Sequence, residues 1–253
     1  LPGRPGPWSS RTAGSPSCAE RSALEGGQMT GLEHDYSGKA CVVFGAGSWA
    51  GSTIGRFLAE SGARLSLLDL DSHRAADLCA EHPRSIVCER TVASGSIDEI
   101  TRVLDKMHGA LGRVDLLVCS YYFEHMREAI DQDDLDPDTW NVLLRDWLIN
   151  YFAVSRAVLP YMVERKAGRI LFILTTTGYT GDCEGDLSSS GSVHECACTS
   201  GITGMMTSMA KDVIPSGISV NGIAIDPGRA GPGANGGKER LIWAANLWLS
   251  GMC

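Results

Sequence analysis

Residues 38–55 read GKACVVFGAGSWAGSTIG. An apolar run, Lys39–Phe44, passes directly into a turn carrying Gly45, Gly47 and Gly51, and a helical period follows over Ser52–Ser61. A glycine where a strand ends tolerates the positive φ of a tight turn, and a second lets backbone come close to a bulky anion. Behind them the free N–H groups of a helix start, together with the helix dipole, attract phosphate. This stretch therefore predicts strand, phosphate-binding turn and helix, with Gly45, Gly47, Ser48, Trp49, Ala50 and Gly51 around the phosphates.

Outward from that turn, short β-branched and apolar runs alternate with segments of helical period, the sequence form of repeated βαβ units around a parallel sheet. Strands are predicted at Lys39–Phe44, Arg64–Leu68, Ser85–Glu89, Val114–Cys119, Arg169–Leu174 and Ile218–Ala224. Helices are predicted at Ser52–Ser61, Ser72–Glu81, Ile97–His108, Pro137–Lys166 and Ala197–Val213. In the last, Cys198, Ile202, Met205, Met206, Met209 and Val213 recur at helical steps, a core-facing stripe. The second strand ends in Asp69, where a carboxylate accepts hydrogen bonds from an adenosine ribose and repels a 2′-phosphate. Strand, glycine turn, helix and acidic strand end together point to NAD rather than NADP.

Composition narrows the remaining classes. A chain of 253 residues, 43% hydrophobic and 21% charged, suffices for one sizeable core. A net charge of −8 argues against a polyanion-binding surface, so no nucleic-acid partner is expected. Nine scattered cysteines, several inside strand-like runs, read as reduced thiols in a cytoplasmic protein rather than a disulfide framework. No apolar run approaches the roughly 20 residues of a membrane-spanning helix, so no membrane partner is expected. Residues 1–37, rich in Pro, Gly, Ser and Arg, are expected to be a disordered leader ahead of a single domain over 38–253. The leader reads as sequence upstream of Met29, with import into an organelle left open.

The segments GKACVVFGAG, ESGARLSLLDLD, GRVDLLVCS, SRAVLPYMVERKAGRILFI, GITGMMTSMAKDV and GISVNGIAIDPG resemble the short-chain dehydrogenase/reductase family, in its order and nearly its spacing. The resemblance implies a doubly wound Rossmann fold, an α/β parallel sheet, with the family's final edge strand not found. It also implies hydride exchange between a nicotinamide cofactor and a small-molecule alcohol or carbonyl substrate. In such enzymes a tyrosine is the acid/base, a lysine one turn later lowers its pKa, and a serine polarises the carbonyl. Alignment puts Thr175 at the serine position, retaining a catalytic hydroxyl. It puts Glu195 at the tyrosine position and Thr199 at the lysine position.

Neither of those replacements supports the usual relay: Thr199 has no charge, and an ionised Glu195 has no proton to give and repels a developing oxyanion. The asparagine position falls on Trp147, with Asn150 one turn away. At the cofactor end Trp49 replaces a turn glycine, Cys119–Tyr122 replace the small residues beside the nicotinamide ribose, and Val92 is expected beside adenine. The resemblance thus implies two readings: an NAD(P)-dependent oxidoreductase, or a catalytically dead relative that binds nucleotide or scaffolds an oligomer, with itself or with active relatives. No metal site is expected, because Cys196 and Cys198 are two apart and point about 200° apart on a helix.

Overall fold

The computed structural model describes residues 35–70, 75–92, 96–120, 136–180, 192–226 and 236–250. Six parallel strands form one sheet in the order β3-β2-β1-β4-β5-β6. They are β1 (Ala40–Phe44), β2 (Arg64–Asp69), β3 (Ile86–Thr91), β4 (Leu116–Cys119), β5 (Gly168–Thr175) and β6 (Ile218–Ile225). The strand order reverses between β1 and β4, which pair directly from Cys41↔Leu116 to Phe44↔Cys119. In an open α/β sheet that reversal opens a crevice beyond the carboxyl ends of the strands, where ligands bind.

The helices cover both faces. On one lie α1 (Trp49–Glu60), α2 (Ala76–Glu81) and α8 (Gly237–Ser250), which bury Ile54, Leu58, Leu78, Leu241 and Ala245 against Cys41, Val43, Leu65 and Leu67. On the other lie α3 (Ile97–Leu111), α5 (Asn150–Arg165) and α7 (Ser192–Val213), which pack Ile100, Leu104, Tyr151, Val154 and Ile202 against Val42, Phe44, Leu117 and Phe172. Because successive strand residues face opposite layers and both layers are dry, the strands read as unbroken apolar runs. The predicted stripe on α7 is in this second layer: Cys198, Ile202 and Val213 are buried, and Met205, Met206 and Met209 pack against them.

Local chemistry sets the ends of the elements. Ser48 caps α1, its hydroxyl accepting from the Gly51 N–H, so the helix begins at Trp49 rather than Ser52. Helix α3 buries Ile100, Leu104, Met107 and Leu111 at steps of four, three and four, and stops at Gly112 with φ +76°. Asp136, at the end of the acidic run, caps α4 (Pro137–Leu144) by accepting from the Asp138 and Thr139 N–H groups.

Several expectations are corrected. The single helix over Pro137–Lys166 is broken: a π-helical turn, Arg145–Ile149, separates α4 from α5. The wider turn lets Asp146, Trp147, Asn150 and Tyr151 all face inward. Helix α7 starts at Ser192, five residues before Ala197, and a short helix, α6 (Thr177–Thr180), follows β5. The folded body also begins before residue 38: Tyr36 is buried, and its hydroxyl donates to Asn246 Oδ1 on α8 at 2.8 Å. The rest of the expected leader, residues 1–34, lies outside the described residues, as do 71–74 at the expected start of α2. Among the described residues β6 has a sheet neighbour only in β5, and no helix is long and apolar enough to cross a membrane.

Candidate dinucleotide crevice and active site

The glycine turn is built from backbone. Gly45 has φ +75°, the left-handed region a tight turn requires. A Cβ on Gly51 would lie 2.1 Å from the Gly45 carbonyl oxygen, so only glycine lets α1 come this close to the strand it follows. The Ser48 hydroxyl lies 2.8 Å from the Gly45 carbonyl, 2.7 Å from the Ser120 carbonyl and 3.0 Å from the Ser120 hydroxyl. Buried Ser48 therefore positions the turn against the end of β4. The N–H groups of Trp49 and Ala50, at the first two helical positions, have no hydrogen-bond partner among the described residues. They are the donors a pyrophosphate would take.

Asp69, buried at the end of β2, accepts from the Gly47 N–H through Oδ2 and from the Leu70 N–H through Oδ1, each at 2.7 Å. A carboxylate oxygen accepts more than one hydrogen bond, which is the chemistry a ribose hydroxyl would meet there. These residues fit a dinucleotide: a cradle only glycine can form, unsatisfied helix-start donors, and an anchored carboxylate one strand away. Trp49 packs its half-buried ring against the α1–α8 side of the core, among the same apolar group as Ile223, Ile225 and Trp248.

Two expected cofactor residues are corrected in how they take part. The side chains of Val92 and Cys119 are core, in the layer with Phe44, Leu117 and Tyr151, and complete burial pushes the Cys119 thiol well above its ordinary range. Strand alternation is the reason: Cys119 shares a face with Leu117. Only their backbone is left to meet a ligand. Val92 donates its N–H to the Asp69 carbonyl at 3.1 Å, which joins β3 to the acidic strand end. Tyr121 and Tyr122 lie outside the described residues.

On the other side of the strand reversal, Thr175 ends β5, and α7 brings Glu195 and Thr199 to it; all three are buried. A fourth residue, Thr177, links them. Thr177 donates to Glu195 Oε1 at 3.1 Å. A hydroxyl has one hydrogen, so Thr177 must accept in its 2.5 Å contact with Thr175, and Thr175 must in turn accept from Thr199 at 3.2 Å. The hydroxyl hydrogens thus run one way, from Thr199 through Thr175 and Thr177 to the carboxylate.

No basic side chain makes an ion pair with Glu195 among the described residues. His194 beside it is buried with Nδ1 unpartnered, and that burial lowers its pKa, so it stays neutral near pH 7. Burial first, and the Glu195 charge second, push the Cys198 thiol up to about 12. Cys196 donates to the Thr177 carbonyl at 3.1 Å. Gly178 lets the α6 turn seat on α7: a Cβ there would lie 2.7 Å from Thr199 Cβ. Tyr179 is 57% exposed, with its hydroxyl 2.9 Å from Thr203 Oγ1, outside this chain of hydroxyls. No group of three or more His, Cys, Asp or Glu side chains gathers as a metal site among the described residues.

The model of the short chain dehydrogenase family matches residues 39–231. The chain belongs to that family. Among similar curated proteins, 3-oxoacyl-[acyl-carrier-protein] reductase FabG of Escherichia coli (strain K12) is 26% identical over 197 residues, 75% of this chain and 73% of FabG. Peroxisomal multifunctional enzyme type 2 of Drosophila melanogaster is 28% identical over 183 residues, 69% of this chain but only 29% of that longer protein. An NAD+-bound xylitol dehydrogenase shares the fold with a TM-score of 0.68 at 23% identity, covering 85% of this chain and 78% of that one. Short-chain dehydrogenases are NAD(P)-dependent oxidoreductases, and the glycine turn and parallel sheet described above are this chain's form of their nucleotide-binding fold.

Sequence reading brought Thr175, Glu195 and Thr199 to one place, and the structure gathers them. It missed Thr177. Thr177 lies past the end of β5, in α6, so no strand alternation pointed to it.

Proposed function

We propose that this chain binds NAD(H) in the crevice beyond β1 and β4 and serves as a nucleotide-binding subunit that does not turn over a carbonyl substrate by tyrosine–lysine chemistry. One observation carries this reading: the hydroxyl hydrogens at the end of β5 are directed inward onto Glu195, with no cation in the network. A hydroxyl polarises a carbonyl only by donating to it, and the hydrogen of Thr175 is committed to Thr177. NAD is favoured over NADP because a 2′-phosphate would meet the Asp69 carboxylate. The cofactor, when bound, supplies or accepts hydride; this chain's residues bind it and orient it. As a subunit, the chain would assemble with its own copies or with active relatives in the cytoplasm.

The second reading is an oxidoreductase acting on a secondary alcohol or ketone, supported by the hydroxyl of Thr175 at the strand end. The Glu195→Tyr/Thr199→Lys double variant separates the two. With NADH and a panel of ketones, the unmodified chain is expected to bind NADH without consuming it, and the double variant to gain turnover. Because Gly178 packs on Thr199, a melting curve of the variant accompanies the assay. Turnover by the unmodified chain would sink the subunit reading, and failure to bind NADH would sink both.

A further inference from the structure

The nucleotide-binding reading leaves open which redox form the crevice holds. We infer that Glu195 makes this a site for the oxidised, cationic pyridine dinucleotide in preference to the reduced one. The inference rests on that reading and deepens it.

A dinucleotide spans the crevice where strand order reverses, with its pyrophosphate on the glycine turn. Asp69 ends β2, on one side of that turn, and takes the adenosine half; the nicotinamide half then extends over the ends of β4 and β5. Among the described residues that meet at the end of β5 and the start of α7, Glu195 carries the negative charge, and Asp226, just past β6, is the next carboxylate along the sheet. Glu195 is 4% exposed; among the described residues it accepts one hydrogen bond, from the neutral Thr177 hydroxyl, and has no ion-pair partner. Its neighbours do not offset it. His194 is held neutral by burial, Cys198 is held as a thiol, and Thr175, Thr177 and Thr199 carry no charge.

Oxidised and reduced dinucleotides present the same adenosine, pyrophosphate and riboses, so contacts at the glycine turn and Asp69 nearly cancel between them. They differ by one positive charge on the nicotinamide ring. A buried carboxylate nearby attracts that charge, and in a site shielded from water the attraction is damped much less than on a surface. At an effective dielectric near 20 and a separation on the order of 10 Å, the preference is roughly tenfold or more. Bringing the cation also gives Glu195 a counter-charge that the described residues around it do not supply, so the two partners stabilise each other.

The test is calorimetric titration of the full chain with NAD+, NADH and ADP-ribose, the last as a probe without the ring. The unmodified chain is expected to bind NAD+ about tenfold more tightly than NADH. In Glu195→Gln the ratio should fall towards one while ADP-ribose affinity stays unchanged, which also shows that the variant is folded. Thr199→Lys, which sets a cation one helical turn from Glu195 and cancels its charge, should likewise bring the ratio towards one. Equal affinities in the unmodified chain, or a preference that survives Glu195→Gln, overturn the inference and leave nucleotide binding intact. No binding of any of the three ligands overturns the nucleotide-binding reading and the inference with it.

Discussion

The two ends of the crevice are made of different materials. At the phosphate end the working groups are main-chain: the Trp49 and Ala50 N–H groups, a left-handed Gly45, and a Gly51 pressed against the Gly45 carbonyl. At the other end they are side chains: three hydroxyls and one carboxylate in a chain that runs one way. A backbone device survives changes around it as long as its glycines remain, which is why Trp49 is tolerated beside it. A side-chain device changes its chemistry with each substitution, and here it has become neutral and inward-directed apart from one negative charge. A parallel-sheet fold and a main-chain cradle can therefore persist where the side chains at the other end of the crevice have changed.

Substitutions test that division, in decreasing order of effect. Gly51→Val drives a side chain into the Gly45 carbonyl; NADH binding should be abolished and unfolding free energy should fall by about 4 kcal/mol, near the upper end for one substitution. Denaturant unfolding beside a fluorescence titration reads both. If binding survives, the backbone cradle is not the phosphate site.

Asp115 offers a control at the opposite, amino-terminal edge of the sheet. Its carboxylate accepts from the Ala40 N–H at 2.9 Å and from Arg165 at 3.0 Å, and it also pairs with Arg113. Burial alone would raise its pKa, but those three donors hold it below the ordinary carboxylate value. A depressed folded pKa stabilises the protein above the unfolded value of about 3.9, and that contribution is lost as pH falls through the lower folded value. Asp115→Asn should cost about 2 kcal/mol at pH 7, discounted because Arg113 is partly exposed. The difference from the unmodified chain should vanish in strong acid. The NAD+ to NADH preference should not move; a change there would mean that the crevice is not insulated from the far edge.

Thr177→Val removes the hydroxyl that donates to Glu195 among the described residues, and about 1.5 kcal/mol of stability should be lost while ADP-ribose affinity is kept. An unchanged melting curve would show that the hydroxyl chain contributes nothing to the fold. The smallest effect is expected of Ser48→Ala, which removes the cap of α1 and the tie to Ser120. About 1 kcal/mol of stability should go, with NADH binding a few-fold weaker. A loss as large as that of Gly51→Val would move the key contact from backbone to side chain.

What the sequence made legible follows from the same physics. Strands buried on both faces must be apolar throughout, so Cys41–Phe44 and Leu116–Cys119 stand out. Helix α3 declares itself through its buried spacing. The π-helical turn did not, because inward residues on both sides of it read as one helix when a constant period is assumed. Cys119 was assigned to the crevice by position, although its parity with Leu117 put its side chain in the core. Tyr36 was hidden for another reason: its partner, Asn246, is distant in sequence, and no local pattern announces a contact of that range. At the site, residue types were readable, but the direction of the hydroxyl hydrogens needed distances.

The most direct measurement follows one sample of the unmodified chain with NADH, first for saturable fluorescence change and then, after a ketone panel is added, for loss of the nicotinamide signal. The account predicts saturable binding followed by a signal that stays constant. Steady consumption of NADH, or no saturation at all, would contradict it.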